Sequence, residues 1–182
     1  NMRILGPNIF GIFSAKSPVN ATFGNKHIKK GSVAIVTQSG ALGIAMIGKT
    51  DTEGIGLSAI VSVGNKSDID EADLIEYLVT DEQTKVILLY IEGLRHGEKL
   101  VEVLRRVTKI KPVIIIKSGR SKRGAMAAAS HTGSLAGADN VFTDVIARQV
   151  GALRALSVQE ALNWAKFLAI QNDLPRGENA VI

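Results

Sequence analysis

The chain has 182 residues, 22 Lys and Arg against 17 Asp and Glu for a net charge of +5, and no cysteine. That length supports one domain with its own core, and zero cysteine excludes a disulfide scaffold, a thiol nucleophile and every thiolate-ligated metal. The longest unbroken apolar run, Val86 to Ile91, is far short of the roughly 20 residues of a membrane span.

The start, Asn1 to Asn8, has neither the basic segment nor the long apolar segment of a secretory leader, so a cytoplasmic location is expected. Opening on Asn and ending on Val181-Ile182, the chain reads as cut from something longer. Residues 1–30 do not fit the repeat that follows. Gly6-Pro-Asn8 and Ser17-Pro-Val-Asn20 read as turns in a lead-in arm, which closes on Lys26, Lys29 and Lys30.

Four apolar runs then recur: Val33 to Thr37, Leu57 to Val63, Val86 to Ile91 and Val113 to Ile116. They are rich in β-branched residues, do not alternate with polar ones, and so read as strands buried on both faces. Their starts are 24, 29 and 27 residues apart, which suits a strand–helix unit. Between them, Leu74, Tyr77 and Leu78 form a stripe after the acidic start Asp70-Glu-Ala-Asp73, and Leu100, Val103, Leu104 and Val107 form a longer one. A weak fifth strand is expected near Val150 to Ala155. Ser157-Val-Gln-Glu160 matches a capping box before an apolar face at Val158, Leu162, Ala165 and Ala169. Asp173-Leu-Pro-Arg-Gly177 reads as a linker. The pattern predicts an α/β fold, a doubly wound parallel sheet of about five strands with right-handed crossovers.

In such sheets ligands bind beyond the carboxyl ends of the strands. There the sequence places Gln38-Ser39-Gly40-Ala-Leu-Gly43, Gly64-Asn65-Lys66-Ser67-Asp68, Glu92-Gly93 and Lys117-Ser118-Gly119-Arg120. The four groups favour one shared site. Ser39, Gly40 and Ala41 open a helix at a strand end, where small residues and free N–H groups receive an anion; Ser is equally a common helix cap.

Gly43-Ile-Ala-Met-Ile-Gly48-Lys49-Thr50 fits the P-loop pattern letter for letter. Context argues against it. The pattern does not follow a strand directly, Ile44, Ala45, Met46 and Ile47 read as buried helix interior, and no strand ends in an Asp suited to Mg²⁺.

From Lys109 to Ala138 there are six basic residues and no acid, and Gly, Ala and Ser make up 14 of the 21 residues from Ser118 to Ala138. A flexible linker is the plain compositional reading. Within it, however, Ser130-His131-Thr132-Gly133-Ser134 surrounds one imidazole with small hydroxyl and glycine neighbours. Such a ring is unblocked, and a neutral imidazole is a nucleophile near pH 7. Gly133 and Ser134 leave room for a phosphoryl group. Glu92 ends an apolar strand, where a carboxylate needs a partner; the far nitrogen of His131 is the candidate. His27 and His96 have no such setting. No spacing resembles a zinc site and no metal site is expected. The basic stretch holds no aromatic residue for base stacking, so nucleic acid is not expected.

Gly6-Pro-Asn8, Val36-Thr-Gln-Ser-Gly-Ala-Leu-Gly43, Ser62-Val-Gly-Asn65 with Asp68, Tyr90-Ile-Glu-Gly93, and Lys117-Ser-Gly-Arg-Ser121 followed by Ser130-His-Thr-Gly-Ser-Leu-Ala-Gly-Ala-Asp139 together resemble the ADP-forming acyl-CoA (acetyl-CoA) synthetase family. More distantly they resemble the succinyl-CoA synthetase α subunit. The resemblance covers almost the whole chain and implies the second, flavodoxin-like domain of that enzyme, with strand order 2-1-3-4-5. It implies residues 1–30 as an arm from a preceding CoA-binding domain, 31–172 as the flavodoxin-like domain, and 173–182 as a linker opening a following domain.

The implied reaction is acyl-CoA + ADP + phosphate ⇌ carboxylate + ATP + CoA. His131 would be the phosphorylated residue, Glu92 its orienting carboxylate, and the helix opening at Ser39-Gly40 the "power helix" that holds the phosphoryl group. Asn8, Gly64, Asn65, Lys117 and Arg120 would form the acyl-CoA and phosphate neighbourhood. The implied ligands are CoA or acyl-CoA, phosphate and ADP or ATP. Mg²⁺ is expected in an ATP-grasp domain or subunit outside this chain. The implied partners are that ATP-grasp unit, the CoA-binding domain, a small carboxylate and further copies in an oligomer, with no membrane. The piece alone is expected to have no turnover. Two other readings stand beside this one: a regulatory synthetase-like domain of a protein acetyltransferase, against which the retained His131 argues, and a P-loop NTPase using Lys49.

Overall fold

The computed structural model of the chain describes residues 2–24, 27–118 and 147–171. In chain order the strands are β1 Gly11–Ser14, β2 Val19–Thr22, β3 Lys30–Thr37, β4 Leu57–Ser62, β5 Val86–Ile91, β6 Val113–Lys117 and β7 Leu153–Ala155. The helices are α1 Gly40–Thr52, α2 Glu71–Thr80, α3 Gly97–Val107 and α4 Val158–Ile170; residues 147–150 are also helical.

All seven strands form one sheet in the order β2-β1-β4-β3-β5-β6-β7. The run β4-β3-β5-β6-β7 is parallel throughout and reproduces the order 2-1-3-4-5. The count of about five strands is corrected to seven. The two extra strands come from the lead-in arm: β1 and β2 form an antiparallel hairpin, and β1 pairs with β4 through Ile12↔Val61, Phe13↔Ile60 and Ser14↔Ala59. Phe10 and Phe13 are buried, so the arm both caps the β4 edge and adds apolar surface to the core. Its signal in the sequence was a short apolar run, Ile9 to Phe13, before the Ser17-Pro turn.

The parallel strands are buried on both faces, as their continuous apolar runs require. Alternate residues feed two cores. On one face Ala34, Val36, Ile87, Leu89, Val113 and Ile115 pack with Ile75 and Leu78 of α2 and with Val103 and Leu104 of α3. On the other, Val33, Ile35, Val86, Leu88, Ile114 and Ile116 pack with Met46 and Ile47 of α1, Leu162 and Ala165 of α4, and Phe10 and Phe13.

The helices follow their periodicity with local corrections. Leu100, Val103, Leu104 and Val107 are all buried in α3. In α2 the buried residues are Glu71, Ala72, Ile75 and Leu78, and Tyr77 is 52% exposed. A full capping box joins Asp70 and Asp73 at the start of α2. In α4 only half of the expected box forms: Ser157 Oγ accepts from Glu160 N at 3.1 Å, while the Glu160 carboxylate accepts from Leu156 N at 2.6 Å. Helix α1 buries Gly43, Met46, Ile47 and Thr50; Ile44 and Ala45 face outward, contrary to their reading as helix interior.

Candidate functional site

The parallel register brings the carboxyl ends of β3, β4, β5 and β6 to one edge of the sheet, and the loops leaving that edge carry the site. At the end of β3 the chain turns directly into α1. Ser39 is the N-cap in extended conformation, and its hydroxyl accepts from Leu42 N at 3.3 Å. Thr37 Oγ1 braces this turn by accepting from Ser39 N and donating to Ser39 O, both at 3.1 Å.

The N–H groups of Gly40 and Ala41 lie in the first turn, where no helical carbonyl precedes them, and no acidic residue occupies that turn. The positive end of the helix is therefore not compensated by its own sequence. The helix start is pulled in close by Gly43: a Cβ there would lie 2.3 Å from Cε1 of the buried Phe10 ring. Only a glycine lets α1 seat on the arm at that distance.

Glu92 leaves the end of β5 half-buried. Its backbone is held from two sides. Its N–H donates to Gln38 Oε1, and its carbonyl accepts from Lys117 Nζ at 2.7 Å. Lys117 is 2% exposed and extends β6 one residue beyond Ile116. Gly93 N also donates to Gln38 Oε1, at 2.9 Å, and Gly93 O accepts from Gln38 Nε2 at 2.9 Å and Lys66 Nζ at 2.7 Å. Burial first, and the neighbouring Glu92 carboxylate second, push the Tyr90 hydroxyl above its ordinary pKa of 10.0.

The loop after β4 is covered by the start of the chain. Asn65 N and Ser67 N donate to Pro7 O and Gly6 O, each at 2.9 Å, and Asn8 Nδ2 reaches Asn65 Oδ1 at 3.4 Å. Gly64 has φ +53, and a Cβ on it would lie 2.1 Å from Pro7 O; the cover depends on a residue without one. Lys66 runs from this loop to Gly93, joining the Asn8–Asn65 group to the Glu92 loop.

The structure thus gathers Ser39, Gly40, Ala41, Glu92 and Lys117 at one sheet edge, with Gly64 and Asn65 on the adjoining loop and Asn8 on the segment that covers it. Arg120, His131, Gly133 and Ser134 lie outside the described residues. Two side chains with a part in the site were not singled out in the sequence. In the sequence Gln38 stands only as a member of the turn, although a long amide at a strand end has backbone groups within reach. Lys66 is buried, 6% exposed, which its polar surroundings in the sequence concealed.

Other candidate features fall elsewhere. Gly43 to Thr50 lies wholly within α1, so it cannot wrap a phosphate. Lys49 Nζ pairs with Glu53 Oε1 at 3.7 Å. His96 stands at the start of α3 with no side-chain capping bond. His27 lines a groove with Phe13, Pro18, Lys30 and Asp51, at the amino end of β3 and away from the strand ends where the polar groups converge. Among the described residues there is no group of three His, Asp or Glu able to hold a metal, and no helix is long and apolar enough to cross a membrane.

The family model for the succinyl-CoA ligase-like flavodoxin domain matches residues 30–168. The chain is 54% identical to the α subunit of ADP-forming acetate–CoA ligase I of Pyrococcus furiosus, covering 100% of this chain and 39% of that protein. It is 41% identical to the ADP-forming acetate–CoA ligase of Methanocaldococcus jannaschii, covering 100% of this chain and 26% of that protein. It also superposes with TM-score 0.90 and 49% identity on acetyl-coenzyme A synthetase 1 of Ca. Korarchaeum cryptofilum, solved in complex with phosphate and ADP; the match covers 97% of this chain and 38% of that one. The chain spans well under half the length of these relatives. ATP citrate lyase from Methanosaeta concilii, at 16% identity and TM-score 0.76 over 97% of this chain and 32% of that one, shares the fold alone. The match over residues 30–168, well over half of the chain, makes this chain a member of the succinyl-CoA ligase-like flavodoxin domain family.

Proposed function

We propose that this chain is the phosphohistidine-carrying domain of a cytoplasmic ADP-forming acyl-CoA synthetase. The observation that carries the reading is the convergence, at one sheet edge, of the Ser39-capped start of α1 with the anchored Glu92, in a chain 54% identical over its whole length to part of an ADP-forming acetate–CoA ligase α subunit.

In this reading phosphate attacks the thioester carbonyl of acyl-CoA, the C–S bond breaks, and CoA leaves as the thiol. The nitrogen of His131 attacks phosphorus of the resulting acyl phosphate, and the carboxylate departs with the electrons of the P–O bond. A terminal oxygen of ADP then attacks phosphorus of phosphohistidine, restoring neutral His131 and giving ATP. Glu92 accepts a hydrogen bond from the distal ring nitrogen, which fixes the tautomer and stabilises the positive ring. Gly40 and Ala41 N–H groups, with Gly133 and Ser134, receive the phosphoryl oxygens. Lys117, Arg120, Asn8, Gly64 and Asn65 border the phosphate and acyl-CoA. Dividing the transfer into two steps lets separate acyl-CoA and nucleotide sites share one carrier.

The CoA-binding domain, the ATP-grasp unit with its Mg²⁺ and any oligomer partner are supplied by other parts of the enzyme. The arm before residue 31, whose hairpin joins this sheet, connects to the first of these, and residues after 172 lead toward the next. The isolated piece is accordingly expected to show no turnover.

The test uses the full-length protein with γ-labelled ATP and Mg²⁺, scored for acid-labile, base-stable phosphate. Wild type should take up label and His131→Ala should not. Label surviving in the variant would refute the assignment. No label in wild type would favour a regulatory domain.

A further inference from the structure

We infer that Gln38 is a positioning residue that sets the Glu92 carboxylate relative to the start of α1; the inference rests on the phosphohistidine reading above. Strand β5 pairs with β3 only as far as Thr37↔Tyr90. Beyond that point β3 turns away into α1, and the backbone of Glu92 and Gly93 loses its ladder on that side. The carboxamide of Gln38 replaces the ladder. Its oxygen accepts from both Glu92 N and Gly93 N, and its nitrogen donates to Gly93 O. The remaining carbonyl, that of Glu92, is taken by Lys117 Nζ. Every backbone polar group of the dipeptide is therefore fixed by a side chain, so the Cα of Glu92 has little freedom.

Gln38 is also the residue immediately before the N-cap Ser39. Its own N–H donates to Tyr90 O at 3.2 Å. One residue therefore connects the two parts that the chemistry requires in register: the helix start that receives a phosphoryl group and the carboxylate that orients the imidazole. Lys66 alone would hold only Gly93 O, and Lys117 only Glu92 O. Gln38 is the member of the set that belongs to the α1 turn itself.

The test is a double-mutant cycle on the full-length protein, reading the single-turnover rate of phosphohistidine formation from γ-labelled ATP. Gln38→Ala should lower that rate about 10- to 100-fold, the scale of a displacement of about 1 Å at a reacting group, with KM for ATP unchanged. Glu92→Gln should lower it as well. Adding Gln38→Ala to Glu92→Gln should cost little more, because the two act as one unit. Gln38→Glu keeps the acceptor oxygen and the volume and carries the test should Gln38→Ala not fold. It should retain more of the rate than Gln38→Ala, since the Glu92 and Gly93 N–H groups keep their acceptor and only the bond to Gly93 O is lost.

Wild-type rates in Gln38→Ala, or fully additive losses in the double variant, would overturn the inference while leaving the phosphohistidine reading standing. Wild-type labelling in Glu92→Gln or in His131→Ala would overturn the reading itself and the inference with it.

Discussion

Lys66 Nζ lies 2.8 Å from Glu71 Oε1, and the two side chains are only 7% and 4% exposed. The pair spans the loop after β4 and the first turn of α2, and the same ammonium donates to Gly93 O at 2.7 Å. Lys66 reaches this position with φ 54, and Arg95 donates to its carbonyl. Two buried charges are tolerable here because each has the other and the ammonium has a second acceptor. Removing one leaves an uncompensated charge. Lys66→Met or Glu71→Leu should each lower stability by about 3–5 kcal/mol, whereas the double variant Lys66→Met with Glu71→Leu should cost less than the sum. Denaturant unfolding of the three variants checks this. Additive losses would mean that the pair carries no coupling.

Gly64 links this loop to the start of the chain. Its φ of +53 and the 2.1 Å approach that a Cβ would make to Pro7 O act together. Gly64→Ala should therefore cost about 1–3 kcal/mol, the scale of a strained backbone conformation, and should loosen the cover from Ile4 to Asn8. Faster amide exchange at Asn65, Ser67 and Ile69, whose N–H groups donate to Pro7, Gly6 and Ile4, is the direct readout. Unchanged protection at all three would contradict the account.

Ser39 has two separable roles. As N-cap it accepts from Leu42 N at 3.3 Å, and Ser39→Ala should cost about 1 kcal/mol. Asp is as good a cap as Ser, so Ser39→Asp should keep the thermal midpoint close to wild type. Its added negative charge at the helix start should nonetheless suppress phosphohistidine labelling, by repelling the phosphoryl oxygens. A Ser39→Asp protein that labels normally would remove the α1 start from the proposed site.

The parallel sheet was legible because burial on both faces leaves continuous β-branched runs, and Val86 to Ile91 was placed to the residue. The hairpin was not, because β1 and β2 are four residues each and the burial of β2 is slight; its place in the sheet comes from the pairing of β1 with β4, a contact remote in sequence. The spacing of Tyr77 from Leu74 fits a helical stripe, yet α2 turns Ala72 and Ile75 inward with Leu78 and leaves Tyr77 exposed. At the site, Ser39, Glu92 and Lys117 announce themselves by polar character at the ends of apolar strands. Gln38 and Lys66 do not, since the bonds of Gln38 go to the backbone of Glu92 and Gly93 and Lys66 is buried by reaching Glu71 and Gly93 on other elements, which no local pattern records.

Acid should release the start of the chain before it touches the sheet. The Asp68 carboxyl is held below its ordinary 3.8, first by the N–H of Ile4, against a smaller opposing effect of desolvation, and then by Arg3. Ile4 N donates to Asp68 Oδ2 at 2.8 Å, and the Arg3 guanidinium lies 2.9 Å from Oδ1. A depressed folded-state pKa gives stability that is fully present above the unfolded value and is lost as pH falls through the folded one. The Ile4 amide resonance should accordingly titrate with a midpoint under 3.8, and Asp68→Asn should abolish that titration. Added salt should move the midpoint back toward 3.8 by screening the exposed Arg3. A midpoint at or above 3.8 would contradict this linkage.

Lys49 separates the present reading from nucleotide binding at a P-loop. Its side chain is 39% exposed on α1 and makes an i,i+4 pair with Glu53 at 3.7 Å. Exposed helix pairs of this kind contribute about 0.3–0.5 kcal/mol. The glycines on either side of the apparent motif are helical, Gly43 packing against Phe10 and Gly48 meeting open space, so no row of N–H groups surrounds a phosphate there. Lys49→Ala should leave stability within about 0.5 kcal/mol of wild type and should leave phosphohistidine labelling of the full-length protein unchanged. In a P-loop the lysine reaches the β- and γ-phosphates, and its loss would abolish nucleotide-dependent labelling. Loss of label in Lys49→Ala with label retained in His131→Ala would therefore reverse the assignment of both residues.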